Sequence, residues 1–459
     1  VSERFDVAIV GAGVVGCAVA RELSRYTLRT VLIEAGCDLG DGVSKGNSAV
    51  LSTGADTPFG TLECRLVARG HERYLAEAPG MGLPFLPVGS LTVAWSEPER
   101  ERLETMHEEA IAAGFHSGRL IGADDIYRRI PHLASGAVSA IWEPDEGIVD
   151  PFSTPYAYAL DAVTNGVEFR STSPVESAER RGGVWHLQTP KGEVVADTVI
   201  NCGGLAGARI DAMAGYADFV MRPRRGQFIV FDKSARPLLD VVLKPVPTPT
   251  YRGILMTPTV FGNILVGPTS EEIEDPDDWR VTREGLDALV TAARRMLPRL
   301  LEHEITATYC GIRPGTDRAE YRIIPRLADR WLTVGGIRST GLSASLGIAE
   351  HVAGIVVGEM TKAERKAATS SIRVPSLAVG GGRPWLDGAA GDAAYREIIC
   401  HCEGVTVGEI RDAMASPLAP QSLKALKRRT RVMFGRCQGF FCGARVQAFF
   451  DQLSKGSLE

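Results

Sequence analysis

The sequence predicts a mixed α/β chain that ends in a small cysteine-bearing unit. Three observations carry this: a strand, glycine turn, helix and strand open the chain, short alternating stretches in its middle read as antiparallel strands, and four of the nine cysteines fall in the last sixty residues. FDVAIV is an apolar run that ends in GAGVVG; CAVARELSRY follows with small residues on one face, and RTVLIE is the second apolar run. Over 84–95 and again over 226–270, stretches such as QFIVFD, GILMTP and NILVGP alternate as half-buried strands do. Between them, PERERLETMHEEAIAAG predicts a polar amphipathic helix and FSTPYAYALDAV another. Over 174–200, hairpin punctuation at Arg181-Gly182-Gly183 and at Pro190-Lys191-Gly192 precedes a strand that runs into NCGG. WLTVGG is the last strand of this body, followed by IRSTGLSAS and the helix LGIAEHVAGIVVGEM. After Met360 the composition changes, and 371–392, which includes SLAVGGGRPWLDGAAGD, is expected to be a linker. The tail over 393–450 is too short to build a large core unaided, and four thiolates on a metal centre would supply the missing cohesion.

The chain has 459 residues, 23% charged and 44% hydrophobic, an ordinary globular composition with room for two or three domains. Its net charge of -5 offers no basic field for nucleic acid or an anionic membrane, so neither partner is expected. No apolar run reaches the roughly 18 to 20 residues of a spanning helix. The first strand begins by Phe5, so no signal peptide is expected and the reading is a soluble, cytoplasmic protein. In that compartment crowded cysteines favour metal over cystine.

Gly11, Gly13 and Gly16 form G-x-G-x-x-G between a strand and a helix, and Glu34 closes the next strand twenty-three residues after the first glycine. The first glycine permits the tight turn, the second lets a pyrophosphate approach the backbone, and the third lets helix and strand pack closely. Unpaired N–H groups at the helix start then face the phosphates. Glu34 would bind ribose hydroxyls, and its charge disfavours the extra phosphate of NADP. This fingerprint does not separate FAD from NAD. The tail cysteines run C-x-C-x34-C-x4-C through Cys400, Cys402, Cys437 and Cys442, which suits a tetrahedral zinc or a 2Fe-2S cluster. A cluster moves electrons singly and nicotinamide accepts a hydride; a flavin does both, so a chain that joins the two chemistries most naturally contains a flavin.

The segments VAIVGAGVVGCAVARELSR, GNSAVLSTGADTPFGTLECRLVARG, EGIVDPF, PRRGQFIVFD, GILMTPTVFGNILVGPTSE, YCGIRP and GGIRSTGLSASLGIAEHV occur in that order. In this series the chain resembles the D-amino-acid oxidase superfamily of FAD enzymes, closest to the branch of 2-hydroxyglutarate oxidases and anaerobic glycerol-3-phosphate dehydrogenase-like proteins. The tail, with T-R and G-R-C-Q-G beside its cysteines, resembles the bacterioferritin-associated-ferredoxin-like 2Fe-2S domain. These resemblances imply a Rossmann-like FAD-binding domain, an interleaved antiparallel-sheet substrate domain and a small C-terminal cysteine-cluster domain. The implied division is an oxidoreductase over 1–370, with FAD-binding parts at about 1–80, 150–220 and 310–370 and a substrate domain at about 81–149 and 221–309, then the linker and the 2Fe-2S domain over 393–450.

Carried over by position, the resemblance puts Gly11, Gly13, Gly16 and Glu34 on the adenosine and pyrophosphate, Asn47 and Ser48 near the pyrophosphate and ring, and Val175 against adenine through its backbone. Gly203 and Gly204 match the turn that packs on the dinucleotide. Gly341, Leu342 and Ser343 would open the last helix beneath the flavin pyrimidine, where a helix N-terminus stabilises the charge of the reduced ring. Over the flavin it implies Gln227, Tyr251, Arg313 and Arg338, the arginines suited to a carboxylate or phosphate. Two departures from the branch stand out: Ser52 replaces a common His, and Glu63 a common Lys. If Glu63 faces the site, it disfavours a dianionic substrate and favours a neutral polyol, amine or amino acid. The base is left open among His71, Glu63 and Tyr251, and His351 reads as a packing residue. Lys424, Lys427, Arg428, Arg429 and Arg431 form a basic run that is a solvated face, an offset to thiolate charge or a dock for an acidic redox partner.

The expected function is an FAD-dependent dehydrogenase of a small hydroxy compound, glycerol-3-phosphate-like or a 2-hydroxy acid, passing electrons through a 2Fe-2S cluster to a partner protein or quinone system, as part of a hetero-oligomer. The alternatives are a C–N oxidising amino or imino acid dehydrogenase, an electron-transfer subunit, and a flavoprotein whose tail is held by zinc.

Overall fold

The structure is a computed structural model of the chain in which residues 3–248, 251–379 and 391–455 are described. The expected linker over 371–392 lies partly outside the described residues. The opening run forms the strand Arg4–Val10, fully interior from Val7 to Ile9, and it sits in parallel between Thr30–Ile33 and Gly192–Asn201. Trp331–Gly335 adds in parallel to the end of Gly192–Asn201, and the two hairpins expected over 174–200 extend the same sheet antiparallel. Strands from three distant parts of the chain thus form one parallel core, which is why their apolar runs are nearly continuous rather than alternating.

The helices Val14–Leu23, Leu62–Glu77 and Gly341–Ile355 pack on one another against this sheet. Glycines set how closely they cross. A Cβ on Gly70 would lie 2.1 Å from the Ser343 carbonyl oxygen, and one on Gly347 2.2 Å from that of Leu66, so no side chain fits at either position. The twenty residues Gly341–Met360 are apolar and long enough to cross a bilayer, contrary to the expectation that no segment is. They are apolar because they run through the protein's own core, with Leu346, Ile348, Ala349 and Val352 at or below 1% exposure.

A second, antiparallel-rich sheet stands over the C-terminal edge of the first. Its longest pairing joins Arg224–Phe231 to Ile305–Arg313, and its strands come from Ser90–Ala94 through Ile305–Arg313. The helix Arg283–Met296 covers the face turned away from the parallel sheet, burying Ile229, Phe231, Leu289 and Ala293 in a core of their own. The tail is a small unit of the strand pair Ile398–Cys400 and Val405–Thr406 with three helices, Val407–Met414, Leu423–Thr430 and Gly443–Ser454. Val405, Ile410, Leu426 and Val446 are fully buried there, but the core is minor beside that of the body.

Candidate active site and cysteine centre

One cavity of about 1520 Å³ runs between the two sheets, from the glycine turn at Gly11 to the underside of the antiparallel sheet. At its inner end the turn is built by backbone contact. A Cβ on Gly11 would lie 2.5 Å from the Cys202 carbonyl oxygen, with Gly11 at φ 103°, and one on Gly16 would lie 1.9 Å from the Gly11 carbonyl oxygen. Gly16 therefore lies beneath the turn while Gly11 and Gly13 line the cavity. The Glu34 carboxylate accepts from the N–H of Ala12 at 2.8 Å and of Gly36 at 2.7 Å, which locks the turn to the next strand end. Burial raises its pKa, partly countered by those two N–H groups. Asn47, Ser48, Val175, Gly203 and Gly204 line the same stretch.

Gly341, Leu342 and Ser343 begin the helix Gly341–Ile355 at the cavity wall, with first-turn N–H groups that have no partner in the helix. The Ser343 hydroxyl accepts from the Ser52 N–H at 3.0 Å, tying this helix start to the segment after Val50–Leu51. A narrow trench, a glycine cradle with a buried acceptor at one end and a helix N-terminus in mid-wall are the features an FAD molecule needs, so the residues present fit that group.

The outer end is cationic. Arg313 lines the cavity and donates to the Thr269 carbonyl at 3.2 Å and 3.3 Å. No carboxylate pairs with it among the described residues, and burial lowers its pKa, the mark of a charge that lacks an anion. Tyr251 lies nearby; its hydroxyl donates to the Pro268 carbonyl at 2.6 Å, and burial pushes it up to about 12. Arg338 lines the cavity too, held from behind by Glu63 at 3.4 Å. Glu63 is 2% exposed, does not reach the cavity, and also accepts from the Thr340 hydroxyl at 2.8 Å. It therefore positions Arg338 and gives no ground for excluding an anionic substrate.

Three further residues complete this wall that the sequence did not single out. Lys244, Arg252 and Asp56 line the cavity, with Lys244 2.5 Å from Glu146 and 3.7 Å from Asp56, and Arg252 3.8 Å from Asp56. The Ser52 hydroxyl, at the position of the missing histidine, donates to Asp56 at 2.9 Å. Burial acts to raise the Asp56 pKa, but Arg252 and Lys244 outweigh it and hold the carboxyl well below its ordinary value. Cations thus outnumber carboxylates on this wall.

Gln227 is a correction. It is fully buried on the opposite face of Arg224–Phe231, where its amide nitrogen donates to Glu271 at 2.7 Å and Thr282 at 3.0 Å and its oxygen accepts from the Thr282 N–H at 2.6 Å. Arg224, Gly226 and Phe228 face the cavity and Gln227 does not, as the alternation of a strand requires. His71 is also removed as a proton acceptor: it is buried against the Asp145 carbonyl at 3.0 Å, and no histidine is among the described residues lining the cavity.

In the tail the four thiols meet as two pairs. Cys402 lies beside Cys437, and Cys400 beside Cys442; Cys400 and Cys442 are buried and the other two partly exposed. Four thiols drawn from two loops are the donor set that a 2Fe-2S cluster takes. The Phe441 N–H leads in holding the Cys437 thiol below its ordinary pKa, which favours the thiolate a cluster binds. Tight backbone brings the loops together: Arg431, Met433 and Gln438 have φ of 66°, 65° and 48°, and a Cβ on Gly435 would lie 2.2 Å from that of Cys402.

The basic run resolves into an internal dock. Arg428 reaches Asp38 at 2.8 Å and Asp41 at 2.6 Å, and Arg429 reaches Asp38 at 2.6 Å, with Arg428, Arg429 and Asp38 almost wholly buried. Both aspartates follow Glu34 on the loop beside the dinucleotide end, and Asp41 lines the cavity. Phe434 stacks on Phe152, which stacks on Phe261, joining the cysteine loop to the body a second time.

Residues 6–355 match the family described as FAD dependent oxidoreductase, and residues 398–452 match the BFD-like 2Fe-2S binding domain. The chain is similar to a glycerol 3-phosphate dehydrogenase of Caloramator mitchellensis, 33% identical over 96% of this chain and 93% of that protein. It is also similar to one subunit of the anaerobic glycerol-3-phosphate dehydrogenase of Escherichia coli K12, 26% identical over 99% of this chain and 89% of that subunit. Among solved structures, the dithionite-reduced L-alpha-glycerophosphate oxidase of Mycoplasma pneumoniae with FAD bound superposes with a TM-score of 0.77 at 25% identity, over 82% of this chain and 100% of that one.

Proposed function

We propose, from the premise that this chain belongs to the FAD-dependent oxidoreductase family and carries a C-terminal 2Fe-2S binding domain, that it dehydrogenates a small secondary alcohol bearing a phosphate, with glycerol-3-phosphate as the preferred substrate. That the chain is an FAD-dependent dehydrogenase of a hydroxy substrate follows from its family and relatives; the choice of a phosphate is our reading. The observation that carries it is the cationic outer wall, above all Arg313, a half-buried guanidinium whose hydrogen bonds go only to a carbonyl. A partly desolvated cation without a counter-ion is costly, and an anionic substrate group that pairs with it bidentately recovers that cost on binding.

FAD in the trench would accept hydride from the substrate carbon and release electrons singly toward the tail cysteines. The protein's part is positioning. Arg313, with Arg252 and Lys244, would hold the phosphate, and the ionised Asp56 would accept a hydrogen bond from the reacting hydroxyl and so orient it. Glu63 would keep Arg338 against the cavity. Gly341 to Ser343 would present N–H groups to negative charge that develops on the ring. The arrangement of the wall also bears on the C–N alternative, since nothing on it requires an amine and its charge suits a dianion better than a zwitterion. The similarity to one chain of an anaerobic dehydrogenase complex supports a place in a multi-subunit assembly.

The test is Arg313→Ala. Loss of a charge-assisted bidentate contact of about 1.5 to 3 kcal/mol lowers kcat/KM for glycerol-3-phosphate by roughly 10- to 100-fold, while flavin content and reduction by dithionite stay unchanged. Equal kcat/KM in variant and parent sinks the assignment.

A further inference from the structure

The loop that joins the last two thiols presents two adjacent aromatic side chains to solvent. Phe440 is 85% exposed and Phe441 83%, by a wide margin the most exposed of the described large hydrophobic residues. Isolated exposed apolar residues need no explanation, but two phenylalanines between Cys437 and Cys442, in ring contact at 5.3 Å, form a patch. The Phe440 N–H donates to the Cys437 carbonyl at 2.8 Å and Phe441 directly precedes Cys442, so anything seated on the rings lies next to the thiols.

Charge along this stretch of the sequence has one sign. Between Asp412 and Asp451 the chain carries seven lysines and arginines and no carboxylate. Of these, Arg428 and Arg429 are spent on the internal dock and Arg431 on Glu403 at 2.9 Å. Arg436, directly before Cys437, and Arg445, three residues after Cys442, bracket the aromatic pair with side chains 60% and 55% exposed, and each is also paired with a carboxylate, Arg436 with Asp232 and Arg445 with Glu397. The helix Leu423–Thr430, Phe434 and Arg436 hold the tail on the body, whereas the rings of Phe440 and Phe441 stay exposed.

We propose that Phe440 and Phe441 are the docking site of the electron-accepting partner, a protein with an apolar face rimmed by acidic side chains around a one-electron centre. This rests on the reading of the tail as an electron exit. In the step itself one electron leaves the reduced cluster for the partner's oxidised centre, with no bond made or broken, and two such transfers return the protein to its starting state after each substrate. The rings supply the desolvated centre of the contact; Arg436 and Arg445 supply steering, which speeds association and is screened by salt.

The experiment uses the full chain loaded with FAD and cluster, as parent and as the Phe440→Ser/Phe441→Ser double variant, which removes only exposed side chains; unchanged visible circular dichroism of the cluster certifies the fold. Cytochrome b5 serves as an acidic one-electron protein acceptor, cytochrome c as a basic one, and ferricyanide as a small acceptor that needs no docking. Protein reduced by dithionite and freed of excess reductant is mixed with each, so the outcome does not depend on the substrate assignment, and binding of oxidised cytochrome b5 is measured separately by calorimetry. The proposal predicts at least tenfold weaker binding and at least tenfold slower transfer to cytochrome b5 in the double variant, a parent rate to cytochrome b5 that falls with salt, and an unchanged rate to ferricyanide. Equal loss toward ferricyanide, no loss toward cytochrome b5, or faster parent transfer to cytochrome c than to cytochrome b5 at low salt overturns it. So does flotation with anionic phosphatidylserine vesicles that the double variant abolishes, which would make the patch a membrane contact.

Discussion

Removing the Asp38 carboxylate is the perturbation whose cost the structure fixes best. Asp38 is 5% exposed at its side chain and receives two buried guanidinium groups, Arg428 at 2.8 Å and Arg429 at 2.6 Å. Breaking a buried pair by deleting one partner costs about 3 to 5 kcal/mol, chiefly because the remaining charge is stranded. Asp38→Ala strands two arginines at once, although Arg428 keeps Asp41 at 2.6 Å, so the expected loss lies near 4 kcal/mol. Arg428→Ala leaves Asp38 its Arg429 partner and should cost roughly 2 to 3 kcal/mol, below the full range for that reason. The order matters more than either value. Because the pairs join the tail to the body, the loss should appear as separation of the two: in urea the cluster absorption of Asp38→Ala bleaches well before FAD is released, and in the parent the two transitions lie close together. Undocking also slows electron passage from flavin to cluster while the substrate still reduces the flavin. An Asp38→Ala protein within about 0.5 kcal/mol of the parent, or one destabilised less than Arg428→Ala, would refute the dock.

Three further outcomes follow from the same geometry. Gly16→Ala forces a Cβ to within 1.9 Å of the Gly11 carbonyl oxygen, so the variant should purify without yellow colour; full flavin occupancy would contradict the tight turn. Asp56 has a folded pKa below its unfolded value of about 3.9, so its contribution to stability is fully present above that value and is lost as pH falls through the folded pKa. Asp56→Asn should therefore show a flatter loss of stability between pH 4 and lower values than the parent, as read by thermal unfolding across that range; identical profiles would remove Asp56 from the ion-pair network. Glu63→Gln removes the carboxylate that positions Arg338, and inorganic phosphate, as a competitive inhibitor, should bind up to about tenfold weaker, an effect near 1.4 kcal/mol. Tighter inhibition would mean that Glu63 neutralises Arg338 more than it holds it in place.

The dinucleotide end was legible because its signals are local: Gly11, Gly13, Gly16 and Glu34 lie within one strand-helix-strand unit, and the backbone contacts of the turn leave no alternative to glycine. The tail cysteines stood out as a set because few residue types bind metal and they come in two close pairs, Cys400 with Cys402 and Cys437 with Cys442. The outer wall was not legible. Lys244, on the strand Val242–Pro245, and Asp56, in the segment after Val50–Leu51, are far apart in sequence, so no window of sequence shows the ion pair. Gln227 was misread although a signal existed: in PRRGQFIVFD, Ile229 and Phe231 are the apolar positions packed under the helix Arg283–Met296, and Gln227 shares their parity. The basic run had three open meanings in sequence because its partners, Asp38 and Asp41, lie nearly four hundred residues away.

The central claim is that a phosphate-bearing alcohol reduces the flavin and that its electrons reach the tail cysteines. An anaerobic titration of the protein loaded with FAD and cluster tests it most directly, with flavin and cluster absorption followed together as glycerol-3-phosphate is added, then 2-hydroxyglutarate, a neutral polyol and an imino acid in separate samples. The account predicts that glycerol-3-phosphate bleaches both chromophores at the lowest concentration. Bleaching by the polyol or the imino acid alone, or a flavin that only dithionite reduces, would contradict it.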